Sequence, residues 1–278
     1  MRQLVLEQDV DKNGIIVLEG KKFHYLKSVL RVKSGDMIYA RLPGDKLMQM
    51  TVALIEDKRI VLQLAGDGKV NINSGSEIKA PPSEKQNQCE LFLFQFVAKP
   101  PKMELIIRQA VECGVRYIVP VAGAFCQKGN IESAKKRSEE KNSRWDNIIT
   151  EALQQSGSAV ETEVTKVMSV KEAIDFWTQK TQNTGAENKS LATVLYEQTS
   201  GTQKLHEAFK NSDGLKCAAI AVGAEGGIMP EEIKQLSDAG FIPIHFDTNI
   251  LRCETAALYG IAAIQTVLME KQLWQFKE

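Results

Sequence analysis

Apolar and polar positions alternate on a short period through the N-terminal quarter of the chain, in "GIIVLEG", "DMIYARL", "MQMTVALIED" and "RIVLQLAG". That period predicts strands separated by Gly and Asp turns. One patch between them, "KKFHYLKSVLRV" (21–32), has helical spacing instead. Several short strands with little helix predict a small β-barrel over residues 1–72. The pattern then lapses. Gly66–Gln88 is polar, rich in Gly, Ser and Pro and poor in large apolar side chains, and 73–88 reads as a linker.

From Cys89 onward the pattern becomes strand, helix, strand. "CELFLFQFVAK" is a continuous apolar run, as expected of a strand buried on both faces of a parallel sheet. "PPKMELIIRQAVECG" follows as an amphipathic helix with Pro101 near its first turn and Gly114 at its end. "VRYIVPV" is the next strand, and the charged stretch 131–157 suits one longer helix ending at Gly157. Three more short apolar strands, "LATVLYE", "CAAIAVG" and "FIPIHF", are each followed by helical material, and the polar "QKTQNTGAENKS" (179–190) reads as a solvated loop. Repeated βα units predict an α/β domain over 89–278 with helices on both sheet faces.

Composition changes this picture little. The 278 residues are 43% hydrophobic and 25% charged with a formal net charge of zero, so no whole-chain field marks a nucleic-acid partner. Residues 1–72 carry +3 and the remainder −3, a mild asymmetry. Five cysteines (Cys89, Cys113, Cys126, Cys217 and Cys253) form no CxxC pair, so neither a disulfide framework nor a metal site is expected. "MRQLVLEQDV" lacks a signal peptide's apolar run, and Ala256–Leu268 is too short to span a bilayer. A cytoplasmic protein with no membrane partner is expected.

Candidate chemistry gathers at strand ends, where ligands bind in open parallel sheets. The stretch "VGAEGGIMPEEI" (222–233) places Gly223, Gly226 and Gly227 around Glu225, then starts a helix at Pro230. Glycines admit a close backbone approach. Glu231 and Glu232 in the first helical turn would repel a phosphate, and the pattern matches neither GxGxxG nor GxxxxGK[ST]. From local chemistry the stretch is either a plain turn or a ligand loop without phosphate.

Four stretches in order carry a resemblance to a known family: "HYLKSVLRVKSGD" (24–36), "KMELIIRQAVECGVRYIVPV" (102–121), "GAEGGIMPEEI" (223–233) and "ILRCETAALYGIAAIQ" (250–265). The chain resembles the RsmE family of 16S ribosomal RNA uridine-N3 methyltransferases, in the SPOUT superfamily. The resemblance implies a PUA-like RNA-binding barrel followed by a SPOUT domain with a C-terminal trefoil knot. It implies S-adenosylmethionine bound by the knot loops, no metal, a homodimer, and as partner the RNA of the small ribosomal subunit or its assembly intermediate. Leu195, Glu197, Gly223, Glu225, Gly226, Gly227, Phe246, Ile250, Leu251 and Thr255 would hold the cofactor. Departures from the pattern are Ala224 for a proline, Met229 for a serine, Asp247-Thr248-Asn249 for Gly-Pro-Arg, and Ser158 for an arginine. The alternatives are a SPOUT methyltransferase acting on another RNA or base, and a non-catalytic RNA-binding or ribosome-assembly protein.

Arg252 and Glu254 match the family's "LR.ET" and are the expected catalytic pair. Uridine N3 carries an imide proton that must leave as the methyl arrives; a carboxylate can accept it and an arginine can stabilise the resulting oxyanion. The competing reading of the pair is a structural ion pair. Cys253, without a His partner, is expected to be a packed thiol. Arg31 and Lys33 are candidate RNA-phosphate contacts, or else a solvated basic face. His24 is expected to be packed or hydrogen-bonded locally. Lys135–Arg137, balanced by Glu139 and Glu140, reads as an exposed helix face. Ala256, Gly260 and Ala263 share a helical face that permits close approach, by core or by a second subunit.

Overall fold

A computed structural model describes residues 4–43, 46–65, 89–183, 185, 189–210 and 213–270. They divide into two compact units: the described residues up to Ala65 together with Leu153–Ala159, and the remainder. The linker expected at 73–88 lies outside the described residues.

The first unit is a five-stranded sheet. Its strands are β1 (Leu4–Val5), β2 (Ile15–Glu19), β3 (Met37–Leu42), β4 (Lys46–Ile55) and β5 (Arg59–Leu64), in the order β1-β3-β4-β5-β2. β1 runs parallel to β3, and the other pairs are antiparallel. The short period does what it predicts: Ile16 and Leu18 turn inward while Val17 is 46% exposed, and Met50, Val52, Ile60 and Leu62 close the core. The helical patch forms as α1 (Gly20–His24) continued by a π-helical stretch, Tyr25–Leu30. Leu26, fully buried, anchors that stretch, and Arg31 ends it in the left-handed region at φ 54°. Asp36 then closes a turn by accepting the Lys33 amide at 2.7 Å, which leaves Arg31 and Lys33 exposed on either side of half-buried Val32. His24 is exposed, with Ser28 Oγ 3.3 Å from its Nδ1.

The second unit is an α/β layer structure on an all-parallel sheet. In chain order it comprises β6 (Glu90–Phe96), α2 (Pro100–Glu112), β7 (Tyr117–Ala122), α3 (Lys128–Glu139), α4 (Arg144–Ser156, which belongs to this unit up to Ala152), β8 (Glu163–Val164), β9 (Met168–Ser169) and α5 (Val170–Asn183). Then follow β10 (Ser190–Leu195), α6 (Leu205–Ala208), β11 (Cys217–Val222), α7 (Pro230–Asp238), β12 (Phe241–Ile244) and α8 (Cys253–Glu270). The sheet order is β12-β10-β11-β6-β7-β8, with β9 also on β7. Pro120, which has no amide hydrogen to give, falls between the β8 pairing at 117–118 and the β9 pairing at 121–122. Period 2 sends Phe92 and Phe94 to the face covered by α5, where Trp177 meets their rings edge-on at 5.0 and 6.3 Å. The other face receives α8, which packs on β6, β11 and α2. Gly260 makes that approach possible: a Cβ there would stand 2.3 Å from Ile220 Cδ1, so the small face of α8 serves core packing.

Two expectations are corrected. The single helix over 131–157 is two helices, α3 and α4. Asn142 takes the left-handed conformation at φ 56°, and Ser143 caps α4 in reciprocal bonds with Asp146 at 2.8 and 3.3 Å. The break lets buried Trp145 turn into the core. The solvated loop at 179–190 begins later than expected, because α5 runs to Asn183 with Thr181 buried.

Candidate active site

The glycine loop leaves the end of β11 and folds back on itself. Gly227, at φ 78°, donates its amide to the Ala224 carbonyl at 3.0 Å. A Cβ on Gly223 would lie 2.8 Å from the Gly227 carbonyl carbon, so this glycine is required by the loop's own backbone. Gly226 faces Phe125, whose Cβ would be 3.0 Å from an added Cβ. The loop is held from two sides. Gln95, fully buried on β6, donates from Nε2 to the Val222 and Gly223 carbonyls at 3.3 and 3.2 Å, while its Oε1 has no hydrogen-bond partner among the described residues. Glu232, in the first turn of α7, accepts the Ala124 amide at 2.8 Å and the Met229 amide at 3.1 Å. Met229 offers no side-chain cap, and the carboxylate three residues on takes that role.

The remaining cofactor candidates sit on the neighbouring strand ends. Glu197, exposed just past β10, has its carboxylate beside Gly227, within 3.6 Å of where a Cβ would stand. Leu195 ends β10 against Gly260 of α8. Phe246 packs edge-on to Tyr259 of α8 at 5.0 Å. Asp247, where the family pattern has glycine, is bonded to Lys204, which holds its carboxyl below the ordinary range. Leu251 is half-buried and Thr255 exposed. Ile250 is 93% exposed, so no protein contact in this unit explains its apolar side chain.

Arg252 and Glu254 do not pair with each other. Glu254, at the start of α8, binds Lys102 of α2 at 3.0 Å through Oε2, which also accepts the Cys253 thiol at 3.2 Å. Lys102 reaches Glu225 of the glycine loop as well, at 3.7 Å, and Glu225 accepts the Lys99 amide at 3.2 Å. One lysine therefore joins the loop to the N-terminus of α8. Burial opposes ionisation of Glu254, but its own amide, Lys102 and Cys253 outweigh it and hold the carboxyl below the usual 4.5. The Glu254 carboxylate, chiefly, raises Lys102 above 10.5. Burial, then Glu254, pushes the Cys253 thiol up to about 12, so it stays protonated and packed. Arg252 is exposed, and its guanidinium makes no hydrogen bond or ion pair among the described residues.

Lys102, Gln95 and Glu232 hold the candidate site together, and sequence reasoning assigned none of them that role. Gln95 left a signal, being the one uncharged polar side chain inside the apolar run of β6, where burial demands hydrogen bonds. The clasp also sets an acid limit. A carboxyl with a depressed folded pKa gives stability that is complete above its unfolded value and lost as pH falls through the folded one. The melting-temperature gap between wild type and Glu254→Gln is expected to be constant near neutrality and to shrink below pH 4.5, the ordinary value of this carboxyl. A gap that widens on acidification would contradict the clasp.

A back-folded glycine loop, a lysine-bridged carboxylate and an arginine without a partner among the described residues thus stand at neighbouring strand ends of an all-parallel sheet. The chain belongs to the RNA methyltransferase domain family, whose sequence profile matches residues 85–265. Similarity extends along the whole chain to curated relatives. It is 24% identical over 265 residues to ribosomal RNA small subunit methyltransferase E of Buchnera aphidicola, covering 95% of this chain and 93% of that one. It is 28% identical over 270 residues to methyltransferase E 2 of Borreliella burgdorferi, covering 96% and 98%. The fold is shared with the crystal structure of a ribosomal RNA small subunit methyltransferase E from Neisseria gonorrhoeae bound to S-adenosylmethionine. The TM-score is 0.72 at 23% identity, over 96% of this chain and 98% of that one. Among the described residues no helix is long and apolar enough to cross a membrane.

Proposed function

We propose that this protein is an S-adenosylmethionine-dependent methyltransferase acting on uridine N3 of small-subunit ribosomal RNA. The observation that carries the reading is the glycine loop, folded back at Gly223 and Gly227 and tied through Glu225 and Lys102 to Glu254, next to an unpaired Arg252. The residues fit the cofactor. S-adenosylmethionine is a cationic amino acid on a nucleoside without phosphate, and the loop offers carboxylates, turned backbone and no phosphate-binding helix end. Glu197 and Glu225 would meet its positive charge. Gly223, Gly226, Gly227, Leu195, Phe246, Ile250, Leu251 and Thr255 would enclose the rest, and the unpartnered Gln95 Oε1 marks a polar demand beneath the loop.

The bound cofactor supplies a methyl group activated by a sulfonium. The chain's own residues manage the base. Arg252, exposed and without a partner among the described residues, stabilises the negative charge that spreads onto the uracil oxygens as the N3 proton leaves. Glu254 Oε2 is already occupied by Lys102 and Cys253, so the proton is taken at Oε1 and passed to water. A carboxylate held below its ordinary pKa is a weak base. The larger share of the acceleration therefore falls to Arg252.

The proposal extends to a trefoil knot in the second unit, supported by β10 lying between β11 and β12 and by α8 returning onto β11 and β6. It extends to barrel closure in the first unit, to a homodimer and to a cytoplasmic location beside the ribosome. Calorimetric titration with S-adenosylmethionine tests the cofactor site directly. Saturable binding at one site per chain is expected; its absence in folded protein would favour the non-catalytic assembly reading. Arg31 and Lys33 are proposed phosphate contacts of the first unit. An Arg31→Ala, Lys33→Ala double variant is expected to bind ribosomal RNA about ten-fold more weakly at moderate salt with unchanged cofactor affinity. Equal RNA affinity in a filter-binding assay would move the contact elsewhere.

A further inference from the structure

Outside the candidate active site, two arginines bind one carboxylate, and a third follows four residues along the carboxylate's own helix. Glu104 of α2 accepts Arg144 Nε at 2.7 Å and lies 3.5 Å from Arg137 NH1. Arg108, one turn further along α2, adds its charge from the same side, and Arg144 first among the three holds the Glu104 carboxyl below its ordinary range. The sequence reading of Lys135–Arg137 as a solvated face needs correction here. Arg137 turns inward to α2, with 30% of its side chain exposed, while Lys135 and Lys136 stay in solvent.

The arithmetic of the cluster is uneven. Two guanidiniums contact Glu104 and Arg108 stands one turn along α2; with Glu151 also acting on Arg144, two carboxylates face three arginines at the junction of three helices. Residues 128–144 alone carry six Lys and Arg against three Glu. A structural ion pair needs one cation. The Arg144 side chain is 61% exposed although its Nε is bonded, so Glu104 fixes the inner edge of the guanidinium and leaves the outer donors facing solvent. A planar fork held by a carboxylate behind it has lost its rotamer entropy before a ligand arrives. Such a fork suits an oxyanion that accepts two parallel hydrogen bonds.

We propose that Arg108, Arg137 and Arg144 form a phosphodiester-binding patch on the second unit, which grips the backbone of the substrate RNA. The proposal rests on the ribosomal RNA reading given above and adds a contact region to it. None of the three arginines belongs to the loop or to the start of α8, so the patch positions the RNA and leaves cofactor binding alone.

The test is a titration of a small-subunit ribosomal RNA fragment against the full chain at several salt concentrations, read by fluorescence anisotropy. Each phosphate contact to single-stranded RNA contributes about 0.7 to the slope of log affinity against log salt. The R108Q/R137Q/R144Q variant is expected to lose about 2 from that slope and about ten-fold or more in affinity at low salt. Its cofactor affinity should match wild type. A folded triple variant with the wild-type slope would overturn the patch while leaving the ribosomal RNA reading in place. A lowered melting temperature with an unchanged slope overturns it equally, as the sign of a purely structural cluster. If wild type does not hold the RNA at all, the substrate reading itself fails and the patch with it. Should the triple variant not fold, R108Q alone, whose side chain makes no hydrogen bond or ion pair among the described residues, must still lose about 0.7 of slope; no loss overturns the proposal.

Discussion

Arg252→Ala is expected to cut single-turnover methyl transfer by roughly 10²-fold, with cofactor affinity and melting temperature unchanged. One positioned donor to a developing oxyanion contributes about 3 kcal/mol, which is that factor in rate. The stability half of this expectation follows from the structure, because the guanidinium is exposed and has no ion pair to lose among the described residues. Glu254→Gln provides the contrast. It removes the charge that Lys102 binds at 3.0 Å, so melting temperature should fall whatever the catalytic role. If Oε1 also takes the imide proton, turnover falls further and recovers in part as pH rises, since more of the uridine is then already deprotonated. A destabilised variant with near-normal turnover at every pH would confine Glu254 to the clasp.

Gly223→Ala is the second large effect. Its Cβ would meet the Gly227 carbonyl carbon at 2.8 Å, a contact between two stretches of backbone that no rotamer can relieve. The loop must open, and cofactor affinity is expected to fall by about 10²-fold or more, since positioning of polar loop groups is lost together with contact area. Gly226→Ala is milder by the same reasoning. Its Cβ stands 3.0 Å from the Cβ of Phe125, a half-exposed side chain, so a shift of a few tenths of an ångström relieves the contact. Calorimetry on both variants checks the order. A Gly226→Ala defect larger than that of Gly223→Ala would mean that the ligand, and not the loop's own backbone, sets the glycine requirement.

This ordering shows what was readable in the sequence and what was not. The glycine loop announced itself as a close backbone approach, but that Gly227 is itself one of the approaching stretches is a fact about φ values and loop closure that spacing does not encode. The apolar run of β6 and the βα alternation specified a parallel sheet, because burial on both faces leaves a continuous signature. The two-residue strands β1, β8 and β9 left none, since pairing that short is dictated by tertiary neighbours. The α3–α4 break was legible in principle: Ser143 and Asp146 have capping-box spacing, but the surrounding charge run reads as one helix. Lys102 was beyond reach. It lies within an ordinary amphipathic helix, and its thiol neighbour Cys253 is 151 residues away in the chain. The competing reading of Arg252 and Glu254, a structural ion pair, was undecidable for the same reason, because a distant lysine takes the carboxylate and leaves the arginine to its other role.

The account stands or falls on the base that receives the methyl group. Small-subunit ribosomal RNA, naked and within assembled particles, can be incubated with the protein and S-adenosylmethionine carrying a labelled methyl. Digestion to nucleosides, followed by mass spectrometry, then identifies the labelled product. The account predicts label in 3-methyluridine, from one position, at a rate that collapses with Arg252→Ala. Label in any other nucleoside, or none from protein that binds the cofactor, would contradict it.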